Sequence, residues 1–159
     1  MTNTSDVPRT QEDANKAFFR KAFEEFFIQH DLESVERNYS PNYIQHNQMV
    51  AAWATAQGLS PIEGVKRFFS GFFIAFPDFA PTIAHLYAED DKVFAFVTWH
   101  GTHQGEFQGV PPTGKQVVIK TAEIMRIENG QFVEHWDVVN DLEMLKTLGL
   151  ATVNEPNRI

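Results

Sequence analysis

Two periods of apolar spacing divide the chain. In the first half Phe18, Ala22 and Phe26 recur at helical intervals, flanked by Phe19, Phe23 and Phe27. Thr10, three positions before Asp13, offers an N-cap, so the pattern predicts a helix over 10–30. A shorter helix is expected from residue 31 or 32 to residue 39, broken by Ser40-Pro41-Asn42. Ser60-Pro61-Ile62-Glu63 joins an N-cap serine, a first-turn proline and a capping-box glutamate. Ile62, Val65, Phe68, Phe69, Phe72, Phe73 and Phe76 then form one apolar face, ended by Pro77. The stretch 43–59, with Tyr43, His46, Asn47, Gln48 and Trp53, fits no regular element.

Beyond Pro77 the period changes from helical to alternating. Strands are predicted near 82–88, 92–104, 116–128 and 131–140, with a turn at 89–91 and a loop or irregular hairpin tip over 105–114. Asn129-Gly130 supplies the positive φ angles of a type I′ hairpin turn. Residues 141–149 close as a short helix with Gly149 as its cap. Helices first and an antiparallel sheet afterwards make an α+β pattern, read as a single domain over 10–150 between a loose segment 1–9 and a tail 151–159.

If Glu128 and Gln131 flank the turn and both strands are regular, Ile124 faces His135 and Ala122 faces Asp137. Those side chains share one sheet face with Val133 and Val139. Glu123, Met125, Ile127, Phe132, Glu134 and Trp136 fall on the other, where the two glutamates read as surface or interface groups. Met125, Ile127, Phe132 and Trp136 become candidates for a contact between copies of the chain. An open sheet with an apolar outer face implies a homodimer or higher oligomer.

Composition adds one feature. The 159 residues include 15 Phe against 3 Trp and 3 Tyr, enough stiff apolar area to line a cavity as well as a core. Such walls suit a small hydrophobic, aromatic or polycyclic ligand. A net charge of −8 with no Lys/Arg cluster disfavours nucleic acid and anionic membranes as partners. There is no cysteine, so thiolate chemistry and Cys-ligated metals are excluded. No apolar run is long enough to span a bilayer and the N-terminus lacks a signal-peptide layout, which makes the cytoplasm the expected location.

Asp137 is the strongest candidate for chemistry. Aspartate is disfavoured in strands, and a carboxylate among Val133, Val138 and Val139 is costly unless paired or protonated. Desolvation would turn it into a general acid/base, with His135 beside it and the small Ala122 leaving room. The structural alternative is a strand-end aspartate paired with Arg126 or Lys120. His46 and Asn47 are candidates for holding a ligand oxygen, as is one of His100 and His103, which regular strand geometry points to opposite faces. Tyr43, Trp53, Phe72, Trp99 and Trp136 are expected to supply walls. His30 and His85 read as structural or solvent-facing, and no metal site is expected. No phosphate loop, dinucleotide fingerprint or hydrolase elbow is present.

The segments YIQHN, GTHQGEFQGVPPTGK and AEIMRIENGQFVEHWDVVNDLEMLKTLG, in that order, resemble the SnoaL-like polyketide cyclases of the nuclear-transport-factor-2-like superfamily. The resemblance covers roughly residues 14–150. It implies a cone-shaped, strongly curved antiparallel sheet with N-terminal helices closing an apolar pocket. It also implies intramolecular aldol ring closure of a polyketide-like substrate without metal or organic cofactor. The acid/base aspartate of the family's H-x-D maps onto Asp137, with His135 before it, and the histidine of H-x-G onto His103. His100 and the YIQHN loop depart from the cyclase pattern, which bears on the substrate more than the fold. The superfamily also holds isomerases, dehydratases, epoxide hydrolases and non-catalytic binding domains, the alternatives for this chain.

Overall fold

The structure, a computed structural model, describes residues 10–152. The predicted segment 1–9 and all but the first two residues of the tail 151–159 lie outside the described residues. The first helix begins where the cap predicted, with the Thr10 hydroxyl accepting from Asp13 N at 3.1 Å. It runs as α1 (Gln11–Phe23) into a wider π-helical turn (Glu24–Ile28). A one-turn helix, α2 (Ser34–Asn38), follows. The capping box of Ser60 and Glu63 forms and starts α4 (Pro61–Ala75).

The irregular stretch expected at 43–59 is instead β1 (Tyr39–Gln45) and α3 (Gln48–Ala56). Ser40-Pro41-Asn42 lies inside β1. Proline is tolerated there because β1 is an edge strand. The start of α3 is capped by Asn47, whose Oδ1 accepts from Val50 N at 2.9 Å.

The remaining elements are β2 (Ala80–Glu89), β3 (Lys92–Thr102), β4 (Gln116–Glu128), β5 (Gln131–Asn140) and α5 (Leu142–Leu148). They complete one five-stranded sheet in the order β1-β5-β4-β3-β2. Four strands pair antiparallel as expected, while β1 runs parallel to β5 along its free edge. The sheet curves without closing, since β1 and β2 are both edges. Helical phenylalanines fill its hollow: Phe19, Phe26, Phe76 and the strand residue Phe132 are all fully buried. Trp99 on β3 stacks on Phe79 and meets Phe27 edge to face.

The Asn129-Gly130 turn has φ of 51° and 72°, and Glu128 pairs with Gln131. Regular pairing then fails within two residues. Ile127 pairs with Phe132 but Arg126 pairs with Glu134, so Val133 is an extra residue in a β-bulge. Past it every expected partner moves by one. Glu123 faces Asp137, Met125 faces His135, and Ala122 faces Val138.

This corrects the expected faces. Ala122 and Trp136 turn outward, away from the hollow, and Glu123 turns in. Met125, Ile127 and Phe132 are core residues, 3%, 6% and 0% exposed, and are not an interface. The apolar residues left on the outer face are Tyr87, Phe94, Phe96, Val118, Ile124 and Val138. Among the described residues no helix is long and apolar enough to cross a membrane.

Candidate active site

A cavity of about 470 Å³ lies between the inner sheet face and the helices. Its walls are apolar: Phe23 and Phe27 from α1 and its π turn, Phe68, Phe69 and Phe72 from α4, Trp53 from α3, and Trp99 and Ile119 from the sheet. Glu106, Phe107 and Gln108 of the 103–115 loop add one side. That loop is seated by Gly105, where a Cβ would come within 2.3 Å of the Ile74 carbonyl oxygen. Only glycine allows that approach.

One end of the cavity is polar. Asp137, His135 and Glu123 reach it from β5 and β4, and Tyr43, Gln45 and Asn47 from β1 and its end. Asp137 Oδ2 accepts from Asn47 Nδ2 at 2.6 Å. Asn47 thus caps α3 with its oxygen and holds the aspartate with its nitrogen. Burial pushes the Asp137 carboxyl above the ordinary value of 3.8; the Asn47 hydrogen bond and the nearby His135 oppose this, and the negative charge of Glu123 adds to it. Among the described residues no guanidinium or ammonium pairs with it: Arg126 reaches Glu134, Glu128 and Asp91 on the outer side.

His135 is held at both nitrogens. Nδ1 lies 2.9 Å from Gln45 Oε1, and Nε2 lies 2.6 Å from Glu123 Oε2. Gln45 Oε1 also accepts from the Asn47 backbone N–H at 2.9 Å. A backbone N–H can only donate, so that atom of the amide is the oxygen, and His135 Nδ1 must carry a proton. Nε2 and Glu123 Oε2 form the second contact, so neither ring nitrogen is left open.

Glu123, His135 and Asp137 place ligand-type atoms within 4.8 Å of one another and are the described residues best placed to hold a cation. Hydrogen bonds to Gln45, Asn47 and each other engage one oxygen of each carboxylate and both nitrogens of His135. Tyr39 and Tyr43 line the same end. Burial, and then the nearby acidic groups, push both phenols above their ordinary range, so both stay neutral donors.

Of the expected site residues, Asp137, His135, Asn47, Tyr43, Trp53, Phe72 and Trp99 line this cavity. His46, His100, His103, Ala122 and Trp136 do not. His46 follows β1 with its side chain on the outer face, bonded to Glu134 at 2.8 Å and stacked on Trp136. His100 alternates outward and is exposed. His103 is fully buried against Phe76, with Nδ1 3.0 Å from Thr113 Oγ1 and its backbone paired to Gly114 and Lys115. It fastens the base of the 103–115 loop.

Sequence reasoning missed Glu123 and Gln45. The signal for Glu123 was the alternation Val117, Ile119, Thr121, Glu123, Met125, Ile127, which places it on the buried side of β4 without any assumption about the turn. For Gln45 it was the alternation Tyr43, Gln45, Asn47.

The fold recurs in known proteins. AclR from Streptomyces galilaeus, described as a candidate hydroxylase, is 29% identical with a TM-score of 0.77, over 92% of this chain and 91% of its own. IdmH from Streptomyces antibioticus, described as a candidate polyketide cyclase, is 26% identical with a TM-score of 0.70, over 85% and 98%. TsrD from Streptomyces laurentii shares the fold at 24% identity and a TM-score of 0.74, over 89% and 100%. No curated protein sequence matches the chain. A profile described as SnoaL-like polyketide cyclase matches residues 17–148. The chain belongs to the SnoaL-like polyketide cyclase family.

Proposed function

We propose that the protein is a cofactor-independent acid/base enzyme acting on a small hydrophobic carbonyl compound, with ring closure by intramolecular aldol condensation as the reaction. The observation that carries this is Asp137: a carboxylate at the polar end of an apolar cavity, with no lysine or arginine paired to it among the described residues and its pKa raised by burial. An ordinary aspartate carboxylate is a weak base; one partly stripped of water is stronger. Oδ2 is held by Asn47, which leaves Oδ1 free to take a proton from a carbon α to a carbonyl. The C–H pair then forms an enolate, whose carbon bonds to a second carbonyl carbon. The resulting alkoxide recovers the proton from Asp137. The aromatic walls hold the chain folded, so that closure benefits from proximity.

The test is a panel of β-dicarbonyl, enone and epoxide compounds incubated with the protein and read by mass spectrometry. Ring closure leaves the mass unchanged, dehydration removes one water and epoxide opening adds one. Asp137→Asn is expected to fold, to bind the same compounds and to turn them over at least about a hundredfold more slowly. Equal turnover removes Asp137 from the mechanism. Binding with no conversion of any compound supports a non-catalytic binding domain. AclR is described as a candidate hydroxylase, so one further outcome, gain of one oxygen atom from O₂ with two electrons from an added reductant and the other atom leaving as water, would replace aldol chemistry with hydroxylation.

We also propose that a second copy covers the outer sheet face, since Tyr87, Phe94, Phe96, Ile124 and Val138 are 37–73% exposed on one side of the molecule. Light scattering at micromolar concentration is expected to give twice the chain mass, and a monomer refutes it.

A further inference from the structure

The proposed base leaves the other half of the reaction without a donor: something must hold the substrate oxygen as negative charge grows on it. The histidines expected there are outside the cavity, and both nitrogens of His135 are engaged. From the hydrogen bonds of β1 we infer that the Tyr43 hydroxyl is this donor, with its proton aimed into the cavity by Gln45. This rests on the reading of the cavity as a carbonyl site.

The direction of each bond follows from the one before it. The Asn47 backbone N–H fixes Gln45 Oε1 as an acceptor, and His135 Nδ1 donates to the same oxygen. The other end of the Gln45 amide must therefore be the NH₂ group, which donates to Tyr43 Oη at 3.2 Å. With that side of its oxygen occupied by a donor, the phenol cannot point its own proton at Gln45. Tyr43 is 3% exposed, and its hydroxyl proton has no acceptor among the described residues. The ring lines the cavity, so the proton faces the space a ligand fills.

Two further observations agree. The phenol is held neutral first by burial, then by the neighbouring Tyr39 phenol and the Glu123 and Asp137 carboxyls, so it keeps its proton while standing close to the carboxylates. A chain of aligned hydrogen bonds polarises its last member, so two donors on Gln45 Oε1 make its NH₂ a better donor and the Tyr43 O–H better in turn. Thr121 is another hydroxyl on the cavity wall. Its oxygen accepts from Trp99 Nε1 at 2.9 Å, but it pairs across the sheet with Val139 and not with Asp137, and no relay reaches it.

The probe is 1-tetralone carrying a ¹³C carbonyl, whose oxygen can only accept, compared with tetralin, which lacks the oxygen. Difference infrared spectroscopy of the wild type is expected to show the bound carbonyl stretch at lower frequency than in an apolar solvent. Tetralone should bind about three- to tenfold more tightly than tetralin, the range of one net hydrogen bond. Tyr43→Phe should abolish both effects and keep tetralin affinity. Gln45→Glu is the sharper variant. It retains the acceptor for His135 and Asn47 but puts a carboxylate oxygen against Tyr43, which turns the phenol proton away from the cavity. The carbonyl shift should vanish although Tyr43 is intact, whereas Thr121→Val should preserve it.

A shift that survives Tyr43→Phe or Gln45→Glu, a shift lost in Thr121→Val, or a wild type that shows none overturns the inference. A parallel loss of tetralin affinity in Tyr43→Phe overturns it too, by making the residue a wall only. Because no turnover is measured, failure here leaves Asp137 as the base, and full activity of Asp137→Asn would leave the Tyr43 donor standing.

Discussion

The sheet carries two histidine–glutamate pairs on adjacent positions of β5, and they face opposite ways. His135 and Glu123 meet at 2.6 Å on the inner face with side chains 12% and 6% exposed. His46 and Glu134 meet at 2.8 Å on the outer face, 41% and 17% exposed. The residue types match and the distances differ by 0.2 Å. What differs is the water around them and the company each keeps. The outer pair lies under Trp136 and shares Glu134 with Arg126, an ordinary surface ion network. The inner pair opens on an apolar cavity, is tied to Gln45, and bears on a carboxylate that burial has already made reluctant to ionise. A histidine beside an acid is therefore no functional signal by itself.

Cutting each pair in turn should separate them. Glu123→Ala leaves a buried imidazole nitrogen without its partner, which costs about 1–3 kcal/mol of unfolding free energy. Glu134→Ala releases a partly hydrated histidine and an arginine that keeps Glu128, so the loss should stay below about 1 kcal/mol. Chemical denaturation of both variants at low and high salt measures this. The outer loss should shrink in 1 M salt and the inner one should not, because screening acts on exposed charges. Equal costs with equal salt dependence would mean that the inner site is open to water, and the contrast would be lost.

The sequence displayed the parts of this arrangement that rest on local chemistry. The Thr10 and Ser60 caps, the α4 face, the Asn129-Gly130 turn and the Gly149 cap each depend on residues within a few positions of one another. The place of Asp137 on the cavity was legible for a different reason: a carboxylate in a valine-rich strand conflicts with its surroundings. The faces were not legible, because one extra residue at Val133 inverts the parity of everything after it, and nothing in Phe132-Val133-Glu134 announces a bulge. That single residue exchanged Ala122 for Glu123 in the site and sent Trp136 outward. His46 was misplaced because β1 was not read as a strand: Tyr43, Gln45 and Asn47 face in and the histidine between them faces out. The helix after Asn47 could have been found, since Asn47 precedes Val50 and Ala54, four apart and both buried. Its cap was read only as part of a ligand-holding loop.

The smallest expected effect is also the most direct comparison of environment, because Asp137 and Glu134 depart from their ordinary values in opposite directions. His46 first, and Arg126 with it, hold the Glu134 carboxyl below its ordinary value, while burial holds Asp137 above its own. For Glu134, between the lowered and the ordinary value the unfolded chain binds the proton and the native one does not. Stability therefore rises with pH through that window, and the contribution is lost as pH falls through the lowered value. For Asp137 the window lies between the ordinary and the raised value, where the native state keeps the proton and the unfolded chain has released it. Stability falls as pH rises through it, so at neutral pH this carboxylate costs the fold something. Glu134→Gln should be less stable than the wild type at pH 7 and converge with it in acid. Asp137→Asn should be more stable at pH 7 and likewise converge in acid, while its activity is lost. Thermal unfolding of the two variants from pH 3 to pH 8 reads both signs in one series. A destabilised Asp137→Asn at pH 7 would mean that its carboxylate is stabilised in place, like the outer acid, and is no poised base.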